Sequence, residues 1–430
     1  MQSMFEGVIQ NGIPIGHRCQ RGGGIEYARV DRLFGRHTAV VGTTGSGKSW
    51  TVASLLQNSM EILPHTRLIF LDLHDEYRKA FPAYFERLNR KVSHILSQNL
   101  KLPYWCLNVD ELQELFVSKE HAAPNQVALF RSIIRELRTE QSEKLDIDDN
   151  QFSVDTPVYF SFDELLTKLD ELNTQMVPGA TKPKQGPHHG KLSNLIMRME
   201  AIQTDPRYGF LFPKERMDNQ GLVELFEELL GFTNNTQMTV IDLSGLPSEV
   251  LSVIVGILCR LAFEYKYWDL DPQHLPLTII LEEAHNYLPN SDLARHRICL
   301  ERVERVAKEG RKYGVHLIVI SQRPSELSET VLSQWANFIA MRLTNPNDQQ
   351  YVRKLLPDFL AVNVDMLPYL RTGEAVLVGE AVELPTRVRI PKPDPQPKSH
   401  DVKYYEGWQT GVPDEYSVER VIARWRKRER

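Results

Sequence analysis

The stretch that most constrains this chain is His37-Thr-Ala-Val-Val-Gly-Thr-Thr-Gly-Ser-Gly-Lys-Ser-Trp50. Thr38-Ala-Val-Val41 is a short apolar run and reads as a buried strand. Trp50, Val52, Ala53, Leu55 and Leu56 recur at helical spacing. Between them, residues 42–49 fit G-x-x-x-x-G-K-[ST], the phosphate-binding loop. Gly42, Gly45 and Gly47 let the backbone curl so that successive N–H groups point inward at phosphate oxygens. The helix that follows aims its positive end at the same anion. Lys48 supplies a mobile charge for the β- and γ-phosphates, and Ser49 a hydroxyl for Mg²⁺. The candidate nucleotide contacts are therefore Gly42, Thr43, Thr44, Gly45, Ser46, Gly47, Lys48, Ser49 and Trp50, with ATP and Mg²⁺ as the expected cofactors.

At 430 residues the chain is long for one core, so more than one lobe is expected. It is 42% hydrophobic and 25% charged, as ordinary globular proteins are. A net charge of -5 gives no global nucleic-acid footprint, so any DNA contact must come from a local patch or a lined channel. Cys19, Cys106, Cys259 and Cys299 lie far apart with no C-x-x-C, which points to reduced thiols in a cytoplasmic protein. No apolar run reaches bilayer length and no signal peptide opens the sequence, so no membrane partner is expected.

Residues 1–36 read as a short mixed arm, with Val8-Ile9 and Ile13-Pro-Ile15 as candidate strands. Residues 37–100 are the first part of the nucleotide-binding lobe. There Leu68-Ile-Phe-Leu-Asp72 is a second apolar run ending in an acid, followed by Leu-His-Asp-Glu-Tyr77. Strand ends face the ligand crevice in an open parallel sheet, which would bring Asp72, Asp75 and Glu76 near the nucleotide. The alternative is that Asp75 or Glu76 caps the next helix. Residues 101–235 read as a helical insertion, with helical periodicity over 110–116, 126–137, 162–172 and 192–202. The polar stretch 178–190, with Gly179, Pro183, Gly186, Pro187 and Gly190, reads as a loop. Its His188-His189 has no further ligand at metal spacing. Residues 236–380 return to alternating strands and helices, which argues a parallel sheet with helices on both faces. Residues 381–430 form a proline-rich linker and a helical tail with a basic end.

Two further motifs bear on chemistry. Leu277-Thr-Ile-Ile-Leu-Glu-Glu-Ala-His285 is an apolar strand ending in paired acids. Glu282 would hold Mg²⁺ through water, and Glu283 would orient and deprotonate the attacking water. Val315-His-Leu-Ile-Val-Ile-Ser-Gln-Arg-Pro324 places Gln322 to feel the γ-phosphate; a plain strand cap is the alternative. Before it, a charged helix over about 292–313 carries several arginines, with Glu301 and Arg305 at pairing distance. Arg311, beside Gly310, is the first candidate for a charge supplied in trans, and Arg305 the second.

Taken together these residues resemble the HerA family of the FtsK/HerA group of hexameric DNA-translocating ATPases. The resemblance rests on residues 33–49, on Asp72-Leu-His-Asp-Glu-Tyr77, on Pro103-Tyr-Trp-Cys-Leu107, on Leu281-Glu-Glu-Ala-His285, and on Glu309-Gly-Arg-Lys-Tyr-Gly314 with Ser321-Gln-Arg-Pro-Ser325. It spans about residues 25–390. It implies an α/β RecA-like P-loop core, a homo-hexamer with ATP at subunit boundaries, and duplex DNA threading the pore. It also implies a partner, either a nuclease of the NurA type or an anti-phage defence effector, sirtuin-like or nuclease. Family members usually begin with a β-barrel collar; here the arm before the loop is too short for one, so a barrel is expected to be absent or a remnant. Three functions compete: a DNA motor feeding a nuclease, a regulatory ATPase ring that activates an effector, and a protein-pumping ATPase of the secretion type.

Overall fold

The computed structural model describes residues 11–19, 23–117, 124–148, 150–178, 181–271, 275–290, 297–355, 365–398, 404–412 and 416–427. The expected strand at Val8-Ile9, Gly179 of the polar loop, the start of the charged helix near Asp292 and the last residues of the basic end lie outside them.

A mixed sheet carries the fold. Its strands are β1 (Gly12–Arg18), β2 (Ile25–Arg29), β3 (Thr38–Val41), β4 (Leu68–Asp72), β5 (Tyr84–Phe85), β6 (Arg90–Ile95), β9 (Met238–Asp242), β10 (Leu277–Leu281), β11 (Val315–Ser321), β12 (Asn337–Ala340), β13 (Glu374–Gly379) and β14 (Thr386–Arg389). A separate small hairpin pairs β7 (Met176–Val177) with β8 (Lys184–Gln185), inside the stretch expected to be loop. The large sheet runs β2-β1-β14-β13-β12-β3-β11-β10-β4-β9-β6-β5. From β12 to β6 every pairing is parallel, which is the expected core. Beyond β12 the sheet continues antiparallel through β13, β14, β1 and β2. The expected parallel core is thus present, and an antiparallel extension is added to one edge of it.

The reason lies in the ends of the chain. Ile13, Ile15 and Ala28 of the first hairpin are buried, and so are Val388 of β14 and Ile390 just after it. Left alone, these side chains would be exposed on a detached arm; pairing on the sheet edge buries them. The 12–29 segment is thus part of the core sheet, and among the described residues there is no closed barrel.

The parallel strands are buried on both faces, as continuous apolar runs such as Leu68-Ile-Phe-Leu71 require. Alternate residues feed two cores. Val40, Phe70, Ile280 and Ile318 face the side covered by α1 (Lys48–Ile62). Ala39, Leu71, Ile279 and Leu317 face the side covered by the insertion, by α7 (Ser248–Trp268) and by α8 (Arg297–Glu309). The insertion contains α2 (Val109–Phe116), α3 (Pro124–Ser142), α4 (Phe162–Thr174), α5 (Ser193–Thr204) and α6 (Gln220–Leu229), close to the four helices expected from periodicity plus one.

Two buried polar fastenings tie the insertion down. Arg260 of α7 donates to both carboxylate oxygens of Glu111 at 2.7 Å, and Glu111 is fully buried. Glu111 also closes a capping box with Asn108 at the start of α2. Arg138 of α3, fully buried, donates to the carbonyls of Trp105 and Leu107 at 2.9 and 2.7 Å. The four cysteines are unpaired. No described helix is long and apolar enough to cross a membrane.

Candidate active site

The 42–49 loop joins β3 to α1, and its shape follows from the glycines. A Cβ on Gly42 would stand 2.7 Å from Ser46 Oγ and 2.8 Å from Met341 Cβ, so only glycine fits. Gly47 has φ +98°, which strains any residue with a side chain, and a Cβ there would come within 3.1 Å of Gly373 N. The loop's outward carbonyls are held from outside. Gly45 O accepts from Thr372 Oγ1 and from Arg342 Nη2, and Ser46 O accepts from Gly373 N–H. Thr43 N–H and Oγ1 both donate to Arg342 O, at 2.8 and 2.9 Å. The sequence pattern gave no sign of this brace, because residues 342 and 372 lie some three hundred positions away.

Inside the loop, Lys48 is nearly buried and its Nζ donates to Thr43 O at 3.2 Å. Burial pushes its pKa down from the usual lysine value, while Glu283, Glu76 and Glu282 oppose that. The buried hydroxyl of Ser46 has no partner within the protein. Ser49 Oγ donates to Glu76 Oε2 at 3.0 Å. The half-buried Trp50 lies outside the curl, with Lys392 Nζ 5.0 Å from its ring centroid.

The acid pair ends β10, beside β4 and β11. Glu283 occupies the left-handed region at φ +44° and ψ +47°, which costs a residue with a Cβ roughly 1–2 kcal/mol. Its Oε2 is buried and has no hydrogen-bond partner in the protein. Burial raises its pKa, against the pull of Lys48, His74 and the Gln322 backbone N–H. His285 Nδ1 lies 3.3 Å from that oxygen and 3.3 Å from Ser321 Oγ. Burial also lowers the His285 pKa and so favours the neutral imidazole. Glu282 points the other way. It is almost fully buried, accepts from Leu73 N–H at 2.8 Å, and has its pKa pushed well up by burial and by the neighbouring Asp72 carboxylate.

Gln322, just past β11, reaches the loop directly: Thr44 Oγ1 donates to its Oε1 at 2.6 Å. From there an open cleft of about 830 Å³ runs outward past Arg323, Arg342, Asn345 and Asp348. Its size suits a small ligand. Arg311 is elsewhere. It is exposed in the turn that leads into β11, at the strand edge opposite the loop. The seven residues of β11 separate the two edges by ~20 Å, so Arg311 does not reach its own loop. Arg305 is engaged, with its guanidinium 4.7 Å from the Phe263 ring centroid and 3.9 Å from Glu309. The expected Glu301–Arg305 pair is corrected: Glu301 bonds Arg297 one turn earlier, at 2.9 Å, because Arg305 leans onto the aromatic face.

The site therefore gathers loop N–H groups, an ammonium, a hydroxyl, a buried carboxylate with one oxygen that accepts no hydrogen bond, and an amide at the carboxyl ends of β3, β10 and β11. Those groups fit a polyphosphate with an attacking water. Among the described residues no three His, Cys, Asp or Glu side chains converge into a metal cage. A cation here would take its remaining ligands from phosphate and water, which suits Mg²⁺.

Comparison with known proteins identifies the family. Residues 13–262 match the family model described as Helicase HerA, central domain, and residues 263–388 match Helicase HerA-like C-terminal. The DNA double-strand break repair helicase HerA of Pyrococcus furiosus is 27% identical over 397 residues, covering 84% of this chain and 66% of that one. Its counterpart from Sulfolobus acidocaldarius is 28% identical over 384 residues, covering 88% and 70%. This chain thus spans about two thirds of the length of those relatives. Among solved structures, VirB4 of Thermoanaerobacter pseudethanolicus superposes with a TM-score of 0.56 at 16% identity, over 92% of this chain and 98% of that one. The conjugative coupling protein TrwBdeltaN70 gives 0.52 at 13%, over 85% and 88%. The two structures share the RecA-like fold. Since the two HerA models together cover the sheet, the loop and the acid pair, the chain belongs to the HerA family of P-loop ATPases.

Proposed function

We propose that this chain is an ATP-driven DNA translocase that works in the cytoplasm as a homo-hexameric ring, with duplex DNA in the central pore. The observation that carries the reading is the meeting of the 42–49 loop with Glu283, whose buried Oε2 accepts no hydrogen bond from the protein and has His285 Nδ1 3.3 Å away. The names of the HerA relatives, as double-strand break repair helicases, support DNA as the polymer moved.

In this reading the loop N–H groups and Lys48 hold the β- and γ-phosphates, and Ser49 faces the cation. Mg²⁺, when bound, draws charge off the phosphate oxygens. Glu283 accepts the proton of the attacking water, a task its raised pKa suits. Gln322, tied to Thr44, orients that water and senses the γ-phosphate. Arg311, at the far edge of the sheet, serves the neighbour's nucleotide. The partner fed by the ring is a nuclease of the NurA type or a defence effector.

The test is ATP turnover with and without duplex DNA, together with displacement of a protein block from one end of the duplex. A motor gives turnover stimulated several-fold and directional displacement. Unstimulated turnover without displacement would sink the motor and leave the regulatory ring.

A further inference from the structure

The geometry points to Glu76 as the carboxylate that serves the cation at this nucleotide site, with Asp72 as its positioning residue and Glu282 as a brace behind them. The inference rests on the ATP and Mg²⁺ reading above and assigns a residue which that reading leaves without a role.

The first observation is the direction of one hydrogen bond. Ser49 Oγ donates its single proton to Glu76 Oε2 at 3.0 Å. A hydroxyl has one proton and two lone pairs. With the proton committed to Glu76, and the buried Tyr77 hydroxyl alongside the same oxygen, a lone pair is left that could face a cation at the mouth of the loop. The carboxylate that takes this proton would then stand beside the water shell of a cation held by Ser49, where a negative group is needed.

The second observation is how Glu76 is held. The 72–77 turn winds around Asp72, whose carboxylate accepts the N–H groups of His74 and Glu76 at 3.2 Å and of Tyr77 at 2.9 Å. Asp75 adopts φ +56° to let the turn close. Tyr77 is fully buried, its ring 4.3 Å from that of Phe70. On the other side, Lys398 N–H donates to Glu76 O at 2.7 Å. The backbone of Glu76 is therefore fixed from both directions, while its half-buried side chain reaches forward to α1.

The third observation is what Glu282 does. Its Oε2 accepts Leu73 N–H at 2.8 Å, and the residue is 3% exposed. One acid thus grips residue 73 and a second grips 74, 76 and 77, so that the third, Glu76, meets the serine. In this chain the acid that ends β10 is spent on the turn, and the turn delivers the working carboxylate from β4.

The test uses full-length protein and the fluorescent nucleotide mant-ADP, titrated with Mg²⁺. Wild type should bind mant-ADP more tightly as Mg²⁺ rises. Glu76→Gln should raise the Mg²⁺ concentration at half effect by about tenfold or more, with Mg²⁺-free binding kept within about twofold. Asp72→Asn should shift the curve in the same direction, and Glu76→Asp should fall between. Glu282→Gln should move the midpoint by less than about threefold. A Glu76→Gln curve that overlays wild type, in protein that melts normally, would overturn the assignment. So would a larger shift from Glu282→Gln than from Glu76→Gln. A wild-type chain that binds no mant-ADP would instead remove the nucleotide reading itself.

Discussion

Replacing Arg260 by Ala tests how the helical insertion is fastened to the ATPase core. Arg260 is 5% exposed and grips a fully buried Glu111 through two bonds of 2.7 Å. Removing the guanidinium leaves that carboxylate charged in a dry interior, and breaking such a pair costs about 3–5 kcal/mol. Two groups soften the loss. Asn108 N–H still donates to Glu111 at 3.0 Å, and Arg302 Nε lies 3.7 Å away. The expected destabilisation is therefore near the lower bound, about 3 kcal/mol. It should appear as a lower urea midpoint at fixed protein concentration and fixed m-value. The double variant Arg260→Met with Glu111→Gln removes the unpaired charge while keeping an acceptor for Asn108. It should recover to within about 1 kcal/mol of wild type. An Arg260→Ala protein within about 1 kcal/mol of wild type, or a double variant no better than the single, would refute the reasoning.

Two further outcomes are expected. His37 accepts Leu317 N–H at Nδ1 and bonds Ala307 O through Nε2, and burial lowers its pKa to about 4 from 6.5. The unfolded chain therefore binds a proton that the folded one refuses, so up to about 3 kcal/mol of stability present above pH 6.5 is lost as pH falls towards 4. A urea-midpoint series should show this slope, and His37→Gln should lessen it, with the stacked and buried His316, whose pKa burial also lowers, keeping the remainder; an unchanged slope would contradict the assignment. Arg311→Ala and Lys48→Ala should each be inactive alone, yet regain turnover when mixed, since each supplies what its neighbour lacks. Mixtures as inactive as the single variants would place Arg311 outside the site.

What was legible in the sequence was local. The loop, its flanking strand and helix, the acid pair and Gln322 are each coded within a dozen residues, and the structure brings all of them to the carboxyl edge of β3, β10 and β11. The parallel core followed from the same strand–helix alternation. Contacts between residues far apart in the chain were not legible. β14 lies between Pro385 and Pro391 and reads as linker, yet it pairs with β13 and with a strand from the other end of the chain. Arg138 and Arg260 are buried by partners distant in sequence, the 105–107 segment and Glu111 of α2. The direction of a strand-end acid is equally hidden: Glu282 and Glu283 are adjacent, but the left-handed turn at Glu283 sends one carboxylate to the loop and leaves the other on Leu73. Glu76 stood between two readings, near the nucleotide or capping a helix. The bond to Ser49 brings its side chain to the loop; no helix directly follows β4, and Asp72 instead takes the N–H groups of the turn.

The central claim is that Glu283 activates water against a triphosphate held by the 42–49 loop. Glu283→Gln keeps the shape of the side chain and removes its basicity, so the most direct measurement is ATP affinity and turnover on that variant. ATP should bind within about threefold of wild type while turnover falls by about 10²–10⁴-fold. Turnover within tenfold of wild type would contradict the account.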